Sequence, residues 1–186
     1  MKLFFFCIET KRFSSAPLMA GYELEAWLIN KTGNPVAINE LFLEKANNDL
    51  LSPELAKFNV ELNVPPGKLS RNILSTFESE LDSLWQQCSA TAASLDSAFL
   101  GIGILPTLKD SDLTLENISL MDRYKALNEQ VLRQRDGLEI TLNINGKDNL
   151  QVSHKDVMLE AAATSLQIHI QVPQQAAARY YNASII

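Results

Sequence analysis

Hydrophobic and polar residues alternate from residue 19 to residue 30, and this alternation predicts a β-strand. Gly21, Glu23 and Glu25 fall on one side of the predicted strand, and the residues between them fall on the other. Alternate residues of a strand point the same way. We therefore expect the carboxylates of Glu23 and Glu25 to project from one face.

A longer apolar stripe predicts the main helix. Its members recur every three or four residues: Ile73, Leu74, Phe77, Leu81, Leu84, Trp85, Cys88, Ala92 and Leu95. This spacing is typical of an amphipathic helix. The helix is expected from about Ser70, which is suited to be its N-cap, to Leu95, and to cover a sheet as part of the core.

Shorter patterns predict the remaining elements. Further helices are expected at residues 39–47, 123–135 (closed by Gly137), 153–162 and 173–180, and a helix start at Ser52-Pro53-Glu54. Further strands are expected at 58–64, 99–105 and 165–172, with a hairpin over 138–152. Regular βαβ spacing is absent, so the pattern favours an α+β fold over a doubly wound parallel sheet.

Composition limits the function classes. The chain has 186 residues, 46% of them hydrophobic and 20% charged, with a net charge of −6. We find no cluster of Lys and Arg of the kind that neutralises nucleic-acid phosphates. No stretch approaches the roughly 20 apolar residues of a membrane span. Cys7 and Cys88 provide neither a disulfide framework nor a zinc motif, which predicts a cytoplasmic protein.

The two ends of the chain lead to separate expectations. The apolar run 3–8 is shorter than the apolar region of a signal peptide and is followed at once by charged residues. We therefore expect residues 1–18, approximately, to be a leader or an extra segment. At the other end, a helical pattern runs to Ser184-Ile185-Ile186. We expect the chain to be a truncated fragment, with a docked C-terminal helix as the alternative.

Carboxylates dominate the candidate chemistry. Glu23 and Glu25 would repel each other on one strand face, and a hard cation such as Mg²⁺ would relieve that repulsion. Glu61 lies in the middle of the next predicted strand, with Glu54 seven residues before it. His169 lies between two isoleucines on the last strand. The alternative is that the glutamates are merely solvated and that His169 is structural.

Other reaction types find no support among the motifs. The chain contains no Gly-x-Gly-x-x-Gly and no Gly-x-x-x-x-Gly-Lys-Ser/Thr phosphate loop. It also lacks the Gly-x-Ser-x-Gly turn of hydrolases, and neither cysteine has a persuasive catalytic partner. Nucleotide binding, if present, must use another kind of site.

Several short motifs, taken in order, resemble one family. Gly21-Tyr22-Glu23-Leu24-Glu25 resembles the Gly-x-Glu-x-Glu opening strand of the glutamate–cysteine ligases and their carboxylate–amine ligase relatives. Glu54 and Glu61 resemble the family's next acidic pair, and residues 101–106 follow as its next strand. Arg123-Tyr124 resembles its Arg-Tyr signature, and residues 167–170 resemble the strand that supplies its histidine ligand. Two departures are Leu105, where a histidine often precedes the proline, and the hairpin over 138–152.

The resemblance implies a glutamine synthetase-like fold, in which helices back a saddle-shaped antiparallel sheet with metals on its concave face. It implies that residues 1–186 are the N-terminal part of a single catalytic domain of this fold. It also implies Mg²⁺ and ATP. The implied metal ligands are Glu23, Glu25, Glu54, Glu61 and His169. It further implies a nucleotide contact from Gln167 and a catalytic contact to substrate or phosphate from Arg123.

The implied activity is that of an ATP-dependent ligase. ATP phosphorylates the γ-carboxylate of glutamate, and the amine of cysteine attacks the acyl phosphate to form γ-glutamylcysteine, a step of glutathione biosynthesis. Two alternatives stay open: a ligase of the same fold that uses another amine, and a non-catalytic α+β fragment. The expected partners are small molecules, and assembly into a homo-oligomer is left open. We expect no ligase activity from these 186 residues alone.

Overall fold

A computed structural model of the protein describes residues 18–70 and 72–185. The strands are β1 Met19–Ile29, β2 Leu51–Pro53, β3 Asn59–Lys68, β4 Ala98–Leu100, β5 Ile140–Asn145, β6 Asn149–His154 and β7 Leu166–Gln171. The helices are α1 Asn39–Ala46, α2 Ile73–Ala93, α3 Asp122–Gln134 and α4 Ala177–Ser184. Short 3₁₀ turns occur at Asp110–Asp112, Leu115–Asn117, Met158–Ala162 and Gln174–Ala176. The predicted α+β class is confirmed.

The main sheet has five antiparallel strands built around β1. On one edge of β1 lies β3, which is flanked in turn by β2. On the other edge two strands follow each other end to end: β7 pairs with residues 19–24 of β1, and β4 pairs with residues 27–29. Strands β5 and β6 form a separate hairpin, as the sequence predicts.

One face of the main sheet is packed against α1 and α2. The even-numbered side chains of β1 enter this core, where Ala26 and Leu28 are fully buried. Phe42 of α1 and Cys88 of α2 are buried in the same cluster. The helix predicted from the apolar stripe therefore covers the sheet as expected.

The opposite face is covered only in part. Trp27 of β1 is fully buried there, stacks on Phe58 with 5.5 Å between ring centroids, and donates its indole N–H to the carbonyl of Ile102 at 2.8 Å. Tyr124 of α3 and Met158 belong to the same buried cluster. This cluster covers the last part of β1 and leaves the face around Glu23 and Glu25 free of apolar packing.

Two predictions, one around Pro53 and one around Pro65-Pro66, are wrong. Ser52-Pro53-Glu54 does not start a helix, because residues 51–53 form β2 and pair with β3. A proline is compatible with β2, since this strand lies at the sheet edge. Strand β3 also continues beyond residue 64, through Pro65 and Pro66 to Lys68. Beyond Leu62 it pairs only with β1, and the pairing there contains a register shift.

Several other helices and strands begin or end at residues that differ from the prediction. The strand predicted over 99–105 is reduced to β4, and Ile104 makes only an isolated bridge to Ala163. Helix α2 begins at Ile73 rather than after Ser70. The helix predicted from residue 153 is replaced by the end of β6 and the turn at 158–162. By contrast, Gly137 closes α3 as predicted, with φ 76° and its N–H donating to the Leu132 carbonyl at 2.9 Å.

The leader predicted over residues 1–18 lies, apart from Leu18, outside the described residues. Within residues 18–70 and 72–185, no helix has both the length and the apolar character needed to cross a membrane.

Candidate metal and substrate site

Strand pairing brings the predicted residues of three strands to one face of the main sheet. In an antiparallel sheet, residues directly opposite each other point to the same side. Glu25 of β1 is opposite Glu61 of β3, Glu23 is opposite Gln167 of β7, and Gly21 is opposite His169. We call the surface formed by Glu23, Glu25, Glu61, Gln167 and His169 the acidic face. The expected shared face of Glu23 and Glu25 is thus confirmed.

The carboxylate of Glu25 joins β1 to β7 through hydrogen bonds. It accepts the backbone N–H of Ser165 at 2.9 Å and the hydroxyl of Ser165 at 3.1 Å. It also accepts the amide N–H of Gln167 at 2.9 Å. Gln167, which the sequence predicts to contact the nucleotide, is therefore occupied in orienting Glu25.

The carboxylate of Glu61 is held on the other side of β1. It accepts the Ser52 hydroxyl at 2.7 Å and the amide of Asn63 at 3.1 Å. Its partners are all neutral, although the acid Glu25 lies directly opposite on the neighbouring strand. Like charges directly opposite in a sheet destabilise it.

Glu23 and His169 are two predicted ligands whose side chains lie at hydrogen-bond distance from each other. Nε2 of His169 lies 3.1 Å from Oε2 of Glu23, and the two side chains are 57% and 31% exposed. Both groups can therefore reach a solute above the sheet. A histidine nitrogen beside a carboxylate oxygen is a common pair of metal ligands.

Glu54 follows β2 at the margin of the acidic face. Burial raises the pKa of its carboxyl to about 7, against the opposing hydrogen bond from the N–H of Leu55 at 2.9 Å. The negative charges of Glu25, Glu61 and Glu160 raise this pKa further. Glu54 is therefore electrostatically part of the same group of acids.

Glu160 was not predicted as a site residue. It lies in the turn Met158–Ala162, where burial and the charge of Glu25 raise the pKa of its carboxyl. One sequence signal could have identified it, namely a lone acid in the apolar run Val157-Met158-Leu159-Glu160-Ala161.

Arg123 lies at the start of α3 and is exposed. Its guanidinium donates to the Tyr124 hydroxyl at 2.7 Å and to the Pro53 carbonyl at 3.3 Å, and lies 4.6 Å from the centre of the Tyr124 ring. Tyr124 donates its hydroxyl to the same Pro53 carbonyl at 2.9 Å. Arg123 therefore lies next to Glu54, at the margin of the acidic face, and does not pair with Asp122 or Glu129.

The donor types suit a hard divalent cation, because carboxylate and amide oxygens are the ligands that Mg²⁺ prefers. In residues 18–70 and 72–185, however, no three of the His, Cys, Asp and Glu side chains are arranged so that they could hold one ion together. Glu25 and Glu61 point towards their hydrogen-bond partners on β7 and β2. A cation would thus have to replace some of these hydrogen bonds.

A cavity of about 560 Å³ opens beside Glu23 and His169. Its walls are mainly apolar and include Met19, Leu50 and Pro65. Small-molecule sites are typically concave and apolar with a few convergent polar groups, and their volumes are about 300–1,000 Å³. The cavity therefore has the size and the lining of a substrate pocket.

Comparisons of the chain with protein-family models, with curated proteins and with solved structures find no match.

Proposed function

We propose that the acidic face binds Mg²⁺ and that the chain belongs to an ATP-dependent carboxylate–amine ligase. The observation that carries the proposal is the cross-strand pair of Glu25 and Glu61, with Glu54 and Glu160 close by. In the described part of the chain, no lysine or arginine pairs with Glu23, Glu25 or Glu61. A bound cation would neutralise this uncompensated charge.

Within this proposal, the carboxylates divide into two groups along β1. To hold one cation together, Glu25, Glu54 and Glu61 would have to exchange some of their present hydrogen bonds for the ion. Glu23 with His169 would contribute to a second position nearer the cavity. Bound Mg²⁺ supplies positive charge that bridges phosphate oxygens and offsets the negative charge that develops during phosphoryl transfer. Ser52, Ser165 and Gln167 would act by orienting the carboxylates.

The ligase assignment rests on the ordered motifs of the sequence together with this arrangement. In a glutamine synthetase-like fold, the main sheet would be the metal-bearing sheet, and its antiparallel pairing is compatible with that role. The cavity beside Glu23 would receive part of a substrate. Arg123 offers a permanently charged, planar group for a carboxylate or a phosphate.

For the substrates, we infer glutamate as the acid and cysteine as the amine, because the motifs resemble glutamate–cysteine ligases. The product would be γ-glutamylcysteine, formed through an acyl phosphate. A ligase of the same fold that uses another amine is the second candidate. The apolar lining of the cavity carries no feature that separates these two possibilities.

Metal binding tests the proposal on this chain directly. Isothermal titration with MgCl₂ and MnCl₂ is compared between the parent and the variant Glu23→Gln/Glu25→Gln/Glu61→Gln. The matched control removes the same charge from exposed positions of α1 and α3, as Glu40→Gln/Glu44→Gln/Glu129→Gln. We expect binding in the parent and the control and its loss in the first variant. Equal binding by both variants, or none by the parent, would reject the metal site.

Activity is tested on the complete gene product. ADP release is followed with Mg²⁺, ATP and glutamate, with and without cysteine and a panel of other amines. Release that depends on both the acid and an amine supports the ligase assignment, and the preferred amine decides between the two candidates. Metal binding without any amine-dependent ADP release would support a metal-binding domain and would reject the ligase assignment.

A further inference from the structure

The tip of the hairpin formed by β5 and β6 carries an asparagine followed by a glycine. Asn145 is the last residue of β5 and pairs with Asn149, and the loop between them is Gly146-Lys147-Asp148. All residues from 141 to 151 are exposed. Of the asparagines in the chain, only Asn145 precedes a glycine.

The conformation of the turn does not require this pair of residues. An Asn-Gly pair in a hairpin commonly supplies two residues with positive φ to a tight turn. The described residues with a positive φ lie elsewhere: Gly33, Asn47, Asp96, Asp136 and Gly137. A Cβ at Gly146 would meet only the Asp148 carbonyl oxygen among the described residues beyond its neighbours, at 3.7 Å, which is an ordinary contact. Alanine therefore fits at this position.

A glycine after an asparagine has a chemical consequence. The backbone nitrogen of Gly146 is placed along the chain so that a bond from it to Cγ of Asn145 closes a five-membered ring. Glycine has no Cβ beside this nitrogen and permits the backbone rotation that ring closure requires. A side chain at position 146 would hinder the same approach.

The tip is held by few of the described contacts. The described side-chain hydrogen bonds of the hairpin lie at its base, from Ser153 to Glu139 and between Thr141 and Ser153. The N–H of Gly146 donates to the Asp148 carbonyl, inside the loop itself, at 3.2 Å. This distance is at the long end of the range for such hydrogen bonds. A local rearrangement of the loop therefore brings the Gly146 nitrogen to the Asn145 side chain.

The chain offers one informative comparison close by. Gly137 follows Asp136, and this pair could form the same ring. The N–H of Gly137, however, donates to the Leu132 carbonyl at 2.9 Å and closes α3, so its nitrogen is held in the helix C-cap. An ionised carboxylate is also a poorer target for a nitrogen nucleophile than an amide is. These differences favour reaction at Asn145 over Asp136.

We propose that Asn145 is a site of spontaneous deamidation. The Gly146 nitrogen bonds to Cγ of Asn145 and loses its proton to water, and the bond from Cγ to the side-chain nitrogen breaks as that nitrogen takes a proton and leaves as ammonia. Water then opens the succinimide at either carbonyl, giving aspartate or isoaspartate at position 145. Overall, water enters and ammonia leaves. The inference does not depend on the metal or ligase proposal.

The products change the tip of the hairpin. In the isoaspartyl form the main chain runs through the former side chain and is longer by a methylene group, so the pairing of residue 145 with Asn149 is lost. Both products add a negative charge beside Lys147 and Asp148. An isoaspartyl residue also exposes a free α-carboxylate, the group that isoaspartyl methyltransferases methylate. Enzymes of that class are therefore the partners expected for the modified chain.

Peptide mapping measures the reaction. The chain is incubated at pH 8 and 37 °C, and samples taken over time are digested with trypsin. Cleavage after Arg135 and Lys147 places Asp136, Asn143 and Asn145 in one peptide. Fragment spectra should locate the mass change of amide to acid at Asn145, increasing with time from the unincubated sample, while Asn143 stays an amide. Isoaspartyl methyltransferase with labelled S-adenosylmethionine should label the incubated chain.

Gly146→Ala is the matched control, because the turn accommodates a Cβ at this position. It should abolish both signals and leave the circular dichroism spectrum unchanged. Equal modification of the parent and Gly146→Ala, or of Asn143 and Asn145 within the parent, overturns the proposal. So does modification of the parent only in urea, since the folded loop would then prevent the ring closure.

Discussion

Glu25 and Glu61 lie directly opposite each other on β1 and β3, with neutral hydrogen-bond partners on both sides. This pair is the electrostatic centre of the acidic face. It is maintained by the register of the two strands, which also places the apolar residues of β1 in the core. Like charges directly opposite in a sheet destabilise it, and a bound cation would relieve this repulsion.

The first prediction concerns the charge of Glu61. Glu61→Gln keeps the hydrogen bond from Ser52 possible but removes one of the two opposed charges. Without metal we expect the free energy of unfolding to rise by about 0.2–1 kcal/mol, the range measured for cross-strand pairs. Urea denaturation in the presence of a chelator measures this change.

Magnesium should stabilise the variant Glu61→Gln less than it stabilises the parent protein. A ligand that binds only the folded state stabilises it, so the parent should gain stability on addition of MgCl₂ and Glu61→Gln should gain less. Glu44→Gln, on the exposed side of α1, is the control for net charge. If Glu61→Gln and Glu44→Gln behave alike in both conditions, the Glu25–Glu61 pair is not the source of the effect.

The second prediction concerns the pH dependence of stability through Glu54, whose pKa is raised to about 7 in the folded protein from an ordinary 4.5. A raised carboxyl pKa means that the folded state holds the proton more tightly than the unfolded state does. Glu54 is therefore most favourable to folding below about pH 4.5, and its contribution is lost as the pH rises to about 7.

Glu54→Gln should accordingly be more stable than the parent at pH 8, by about 1–2 kcal/mol after allowance for the partial exposure of the site. At pH 4.5 the two should be nearly equal. Thermal unfolding in metal-free buffers at several pH values measures the difference, with Glu116→Gln as the exposed control. A difference between Glu54→Gln and the parent that does not vary with pH would contradict the assignment of the shift to Glu54.

Local patterns explain which parts of the fold the sequence predicts well. The period-two alternation of β1 and the left-handed conformation of Gly137 are properties of short segments, and both are found as expected. The hairpin of β5 and β6 is likewise local. Ser52-Pro53-Glu54 misleads because a good helix-start signal is overridden by the pairing of residues 51–53 with β3, only seven to eleven residues further along the chain.

The candidate site likewise has features that the sequence predicts and features that it does not. The common face of Glu23 and Glu25 follows from alternation within one strand. The position of Glu61 opposite Glu25, and of Gln167 as a hydrogen-bond donor to Glu25, depends on the register between strands that are distant in sequence. Ser52 lies only nine residues before Glu61, but the predicted helix start at Ser52-Pro53-Glu54 hid their pairing. Glu160 enters the site through a turn that packs on the sheet from 135 residues beyond Glu25 in the chain. No local pattern encodes such a contact.

The third prediction concerns Asn39, a fully buried residue that begins α1. Its amide N–H groups donate to the carbonyls of Ala56 and Asn59 and to the hydroxyl of Ser119. Asn39→Ala leaves these acceptors without their donor, and we expect a loss of about 2–3 kcal/mol of stability. Asn39→Asp should cost more, because a buried carboxylate would face three oxygen acceptors.

Urea denaturation measures both Asn39 variants, and their order is the informative result. Asn34→Asp is the matched control, since Asn34 lies in the turn after β1 and its side-chain amide donates to the exposed hydroxyl of Thr32. If Asn39→Asp were as stable as Asn39→Ala, the carboxyl at this position would have to be protonated. Denaturation at pH 5 and pH 8 decides that point.

The fourth prediction concerns Arg123, which stacks on Tyr124 and donates to it and to Pro53. Arg123→Lys keeps the charge but loses the planar group that makes all three contacts. We expect a stability loss of about 0.5–1.5 kcal/mol, the net size of a single exposed cation–π contact or hydrogen bond, because lysine can replace part of the three contacts. Arg133→Lys in the last turn of α3 is the control.

A stability loss alone would give Arg123 a structural role only, so the catalytic role needs a second measurement. If Arg123 also contacts the acid substrate or a phosphate, Arg123→Lys should lower kcat/KM of the complete gene product by about 10–100-fold, the equivalent of one charge-assisted contact of about 1.5–3 kcal/mol. Its position argues for this, because the guanidinium lies at the margin of the acidic face beside Glu54, where an anionic substrate held by cations would arrive. Unchanged constants for both ATP and the acid, together with the expected stability loss, would show that Arg123 only holds Tyr124 and β2 in place.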